Sequence, residues 1–236
     1  LGFSLKIKKV ASPGALGFKF TLTVVLLYFF ILYPGVQFFF RGHPFLPQYC
    51  FLIFYGIVFA FARCIKKVPL TQLGFSKQHV ENHLITGLTF SALIIAALPA
   101  LDSLISVSGL ENHELFSGNL NRREGGTGEI SHPLGVLEQV LLVPLLEQFF
   151  FTGLIVSSLS KKFNPVLAIY GAAVIFTLAH FKLNLGLFIL GLITAVLFQL
   201  TGTLYASILF HASCSLAGLL LLHVYPRLTT LLAFLF

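Results

Sequence analysis

Only 10% of the residues in this 236-residue chain are charged, and acidic side chains run out altogether at Glu147: none of the 89 residues after it is Asp or Glu. A soluble domain carries about 25% charged residues, so an ordinary water-facing surface is excluded. Methionine is absent. The chain begins Leu-Gly-Phe-Ser, so its N-terminus is read as incomplete and a preceding signal or targeting segment stays open. There are three cysteines, Cys50, Cys64 and Cys214, with no paired spacing. Cys50 and Cys214 fall in apolar runs, where a thiol acts as a small hydrophobe. That excludes a disulfide framework and a cysteine-based zinc site. The formal charge is +7, but the basic residues are scattered in short clusters without an aromatic-interleaved face. Anionic lipid headgroups are the expected partner, not nucleic acid.

What is abundant is apolar: 57% of the chain is hydrophobic and the mean hydropathy is +0.93. Apolar segments at about 20–40, 45–62, 84–107, 133–158, 165–181, 184–200 and 203–224 approach the roughly 20 residues needed to cross a bilayer. The expected fold is therefore all-α, a polytopic transmembrane bundle of about seven spans forming a single membrane domain. The polar, Gly-rich stretch 108–132 reads as one long external loop, and Pro133 opens the fourth span. Residues 78–83 form a polar helix entry at the interface. With the N-terminus inside, Lys6, Lys8, Lys9, Lys19, Arg63, Lys66, Lys67, Lys77, Lys161 and Lys162 fall on the inner side. Arg41, Arg122, Arg123, Lys182 and Arg227 fall on the outer side, and this bias favours that orientation.

Glu147, His180 and His211 each lie deep within an apolar segment. An ionisable group at the centre of a membrane helix costs about 2.5–3.5 kcal/mol on insertion scales, so such residues face the bundle interior and find partners there. Pro144 precedes Glu147 by three residues, where it removes a backbone donor and disturbs the helix. His180 closes the motif Phe176-x-x-x-His180, and His211 opens His211-x-x-x-Ser215; residues four apart share a helix face. The bland reading of Glu147 is a protonated, hydrogen-bonded core carboxyl, and each histidine alone reads as easily as a packed core residue. Glu138 and Asp102 lie near span ends and read as interfacial; Cys214 reads as packing.

Glu147-Gln148-x-x-x-Thr152, then Phe176-x-x-x-His180, then His211-x-x-x-Ser215, in this order on separate spans, resembles the CAAX protease and bacteriocin-processing family of intramembrane proteases. That family carries Glu-Glu-x-x-x-Arg, Phe-x-x-x-His and His-x-x-x-Asn. The resemblance covers roughly residues 130–220. It divides the chain into N-terminal helices and loop (1–132) and a protease-like core (133–224). Three positions depart: Gln148 stands for the second glutamate, Thr152 for the arginine and Ser215 for the asparagine. Position 148 cannot ionise and position 152 has no guanidinium, so both halves of an ion pair are gone together and no orphan charge remains.

The resemblance implies an intramembrane endopeptidase acting on a membrane-associated or lipidated protein, with Glu147, His180, His211 and Ser215 as catalytic residues, in the plasma (inner) membrane of a bacterium. Glu147 would be a general base with one histidine orienting the water. The other histidine, aided by Ser215, would stabilise the oxyanion. No cofactor is favoured. A His₂Glu zinc set of Glu147, His180 and His211 with an open water position fits the same residues, although no His-Glu-x-x-His motif is present. Two non-hydrolytic readings stand beside it: an inactive relative serving as immunity or scaffold factor, and a transporter using the three residues as a proton relay, for which no inverted repeat is seen.

Overall fold

A computed structural model describes residues 16–40, 43, 46–109, 133–181, 184–225 and 228, and among these there is no β-strand. Among the described residues seven long helices follow one another. They are α1 (Phe18–Phe39), α2 (Leu46–Ile65), α3 (Val80–Val107), α4 (Leu134–Leu159), α5 (Pro165–Ala179), α6 (Leu185–Thr201) and α7 (Tyr205–His223). They coincide with the seven apolar segments of the sequence to within a few residues. Residues 78–83 lead into α3, which starts at Val80 and takes in the last four of them. Most of the anticipated external loop, and the cations Lys6, Lys8, Lys9, Arg41, Arg122, Arg123, Lys182 and Arg227, lie outside the described residues.

Among the described residues four helices, α1 to α4, are long and apolar enough to cross a membrane. The other three are apolar but shorter: α5, at 15 residues, rises only about 22 Å at 1.5 Å per residue, less than the ~30 Å of a bilayer's hydrocarbon core. Length alone therefore supports four full spans, with three further helices packed among them in a helical membrane bundle.

The short helices are firmly delimited. Asn164 caps α5 by accepting a hydrogen bond from the Leu167 amide at 2.8 Å, and Pro165 occupies the first turn, where its missing N–H costs nothing. Asn184 caps α6 through the Gly186 amide at 2.7 Å. Gly202 ends α6 with φ of +72°, a left-handed conformation that suits glycine. The turn that follows is clamped, since the Leu204 amide donates to the Gly74 carbonyl at 2.9 Å.

Inside a membrane, helices are held together by close packing and interhelical hydrogen bonds, because lipid tails are as apolar as leucine. Small residues accordingly mark the contacts. A Cβ at Gly87 of α3 would come within 2.9 Å of the Ala206 Cα on α7, and one at Gly191 of α6 within 3.2 Å of the Ala173 Cα on α5. Polar bonds add to the packing: Ser207 of α7 donates to the Thr194 carbonyl of α6 at 2.8 Å. An aromatic core joins α1, α2, α4 and α5 through Tyr28, Tyr55, Phe149, Phe150, Phe151 and Phe176.

One end of the bundle gathers the start of α1, the end of α2, the start of α3 and the end of α4. Lys162 lies 4.1 Å over the Phe18 ring, Phe20 stacks on Phe61, and Thr203 meets His83 at 2.9 Å. Every described Lys and Arg, namely Lys19, Arg63, Lys66, Lys67, Lys77, Lys161 and Lys162, is at this end.

Candidate active site

Glu147 lies midway along α4, between two π-helical stretches, Glu138–Leu142 and Gln148–Val156. The disturbance anticipated at Pro144 takes the form of the first of these. The widened turn precedes the residue that lacks an N–H, and such bulges are frequent at functional sites. The Glu147 carboxylate is buried, and both histidines reach it. His180 Nε2 is 3.5 Å from Oε1 and His211 Nε2 is 3.8 Å from Oε2. His180 is the C-cap of α5 and His211 lies in the second turn of α7, so three helices meet at one carboxylate.

Side-chain exposure grades across the cluster, from 7% for His211 to 12% for Glu147 and 26% for His180. The open side is therefore at His180. Phe176, itself buried, is a wedge between the two histidines. Its ring centroid is 4.5 Å from that of His180 and 6.0 Å, edge-on, from that of His211. The Phe-x-x-x-His motif thus orients both imidazoles.

Each histidine has a partner on its other nitrogen. His180 Nδ1 lies 2.8 Å from the Phe176 carbonyl. A carbonyl only accepts, so this nitrogen carries the proton and the neutral ring presents a lone pair at Nε2 toward Glu147. His211 Nδ1 lies 2.9 Å from the Gln148 amide nitrogen, and Thr152 Oγ1 donates to Gln148 Oε1 at 2.6 Å. Gln148 and Thr152, the two departures in the first motif, are therefore direct partners.

Ser215 is half-buried one turn beyond His211; among the described residues no polar contact joins it to Glu147 or to either histidine. Glu138 accepts a hydrogen bond from Tyr49 at 3.2 Å near the start of α4, away from the carboxylate cluster. Cys50, Cys64 and Cys214 are free thiols, and Cys214 packs against the apolar contact of α6 with α7. Among the described residues no group of three His, Cys, Asp or Glu side chains is arranged to hold a metal ion.

The resemblance over residues 130–220 leaves out α1 and α2, yet both reach the site. Tyr28 of α1 donates to the Ala179 carbonyl, next to His180, at 2.9 Å, and Tyr55 of α2 donates to the Tyr28 hydroxyl at 3.3 Å. Tyr28 begins a π-helical turn, Tyr28–Leu32. The available signal was two hydroxyls within Phe-rich spans, since buried polar groups in lipid must find partners.

A buried carboxylate flanked by two imidazoles is a set of groups that can take up and pass on protons. Residues 130–217, just over a third of the chain, match the family model described as type II CAAX prenyl endopeptidase Rce1-like, in keeping with the CAAX protease and bacteriocin-processing family. The match runs from α4 into α7 and contains Glu147, His180, His211 and Ser215. It makes peptide-bond hydrolysis the chemistry at the level of the family, and the apolar helices make the chain an integral membrane protein. No curated protein and no solved structure matches the chain.

Proposed function

We propose that this chain is an active intramembrane endopeptidase that hydrolyses a peptide bond of a membrane-associated or lipidated protein, with Glu147 as the general base. The observation that carries the reading is the meeting of one buried carboxylate with two histidines at 3.5 and 3.8 Å. A water hydrogen-bonded to both Glu147 and His180 from their open side, where His180 is the more exposed of the two, would lie within the hydrogen-bond reach that proton abstraction requires. Glu147 takes the water's proton as the oxygen attacks the scissile carbonyl. His180 accepts the water's second hydrogen at its Nε2 lone pair and orients the attack. His211, with Ser215 one turn further along α7, faces the carbonyl oxygen on which negative charge develops. Glu147 then returns its proton to the leaving amine.

The chemistry is proposed as metal-free. Chelators leave cleavage unchanged on this reading, whereas a full loss restored by added metal would move the assignment to a His₂Glu zinc site. The multi-pass bundle is placed in a bacterial plasma membrane with its basic end toward the cytoplasm, following the positive-inside rule, and anionic headgroups are its lipid partners at that end. The decisive experiment compares proteolysis in membranes containing the protein or its Glu147→Gln variant. Loss of a cleaved species in the variant supports hydrolysis. An unchanged cellular role in that variant would favour a non-catalytic immunity or scaffold factor.

A further inference from the structure

The Gln148 side chain is fully buried beneath the site, and its two ends are engaged differently. Thr152 Oγ1 lies 2.6 Å from one terminal atom. That length suits an O–H···O bond, which runs about 2.5–3.0 Å, and is short for N–H···O at about 2.7–3.2 Å. The atom facing Thr152 is thus the amide oxygen, and the NH₂ group is turned to His211 Nδ1 at 2.9 Å. An amide nitrogen only donates, so Nδ1 must accept and be unprotonated. The neutral His211 ring then carries its proton on Nε2, the nitrogen directed at Glu147. His180 is the reverse, because its Nδ1 donates to the Phe176 carbonyl.

We infer that Gln148 and Thr152 are positioning residues that lock His211 as the Nε2–H tautomer, opposite to His180, so that one imidazole accepts where the other donates. The consequence for catalysis rests on the hydrolase reading. His180 offers a lone pair to the attacking water, and His211 offers a hydrogen to the carbonyl oxygen that becomes an oxyanion. A glutamate at position 148 would only accept and would draw the proton onto Nδ1. The neutral Gln148–Thr152 pair does more than discard a buried charge: it reverses the hydrogen bond that His211 receives. It also prevents the neutral His211 ring from ligating a metal through Nε2, where its proton sits.

The test is the ¹⁵N spectrum of the full chain labelled at histidine and held in lipid nanodiscs, with the His211 signals assigned by their loss in His211→Gln. The expected spectrum shows a protonated Nε2 and an unprotonated Nδ1 for His211, with the opposite pattern for His180. A proton on Nδ1 of His211 overturns the proposal. Thr152→Val removes the hydroxyl at nearly constant shape, frees the amide to flip and populates both tautomers, and Thr152→Ser restores one. An unchanged tautomer in folded Thr152→Val overturns the lock. In turnover, Thr152→Val lowers kcat about twofold to tenfold, as the competent fraction falls, with KM unchanged. The tautomers are read without substrate, so a protein that cleaves nothing but shows the expected spectrum counts against the hydrolase reading alone.

Discussion

The first three helices and the fourth are similarly apolar, yet they occupy opposite environments. In α3 only 17% of the most hydropathic window is buried within the protein, against 67% in α4, and α1 and α2 resemble α3. The outward faces of α1 to α3 carry Phe30, Phe38, Ile53, Leu88 and Val107, all well exposed, as befits side chains turned to lipid. In α4 the whole run Gln148–Ser158 is buried. Burial along this stretch is what allows α4 to carry a carboxylate at its edge, because neighbouring helices supply the polar partners that lipid cannot. Hydropathy identifies what can enter a membrane; it does not identify which helix lies at the centre.

The largest effect expected on this contrast is catalytic. Glu147→Gln keeps the shape of the side chain and removes the base, so cleavage falls by about 10²–10⁴-fold with folded yield unchanged; wild-type turnover in that variant would leave α4 a purely structural core. His211→Ala, which deletes the proposed oxyanion donor, lowers kcat by about 10²–10³-fold.

Next come substitutions at the seams. Gly87→Ala pushes a methyl against the α7 backbone at Ala206, where neither helix can yield locally, and overpacking of this kind costs about 1–3 kcal/mol. Gly56→Ala on α2 meets nothing within 4 Å and gains the better helix propensity of alanine. Thermal unfolding in detergent should place the two variants on opposite sides of the wild type. An equal response would mean that the α3–α7 contact is looser than the geometry shows.

Tyr28→Phe sharpens the comparison from the lipid-facing side. It removes the bond to the Ala179 carbonyl and leaves Tyr55 without an acceptor, a loss of about 0.5–1.5 kcal/mol in stability. A drop in kcat accompanying it would show that α1 holds the end of α5, and with it His180, in register. The smallest effect belongs to Phe30→Ala on the exposed face of α1, with a stability change within about 0.5 kcal/mol, as for other surface substitutions. A large loss there would reveal a protein partner on that face.

By itself the sequence determined the all-helical membrane class, the positions of seven helices and the three polar side chains in the last four. Each of these follows from local chemistry: runs of apolar residues seek lipid or the bundle interior, and an ionisable group within such a run demands a partner. Tertiary structure alone decided the rest. Hydropathy could not rank α4 above α1 to α3, since burial against protein and exposure to lipid select the same residues. It could not foresee the Tyr28 and Tyr55 hydroxyls at the end of α5, because their partners are separated from them by the order of the chain. Gln148 and Thr152 read in sequence as the loss of an ion pair. Only the packing of α4 against α7 gives them His211 to hold, because a hydrogen bond across 63 residues of chain exists only once the helices are side by side.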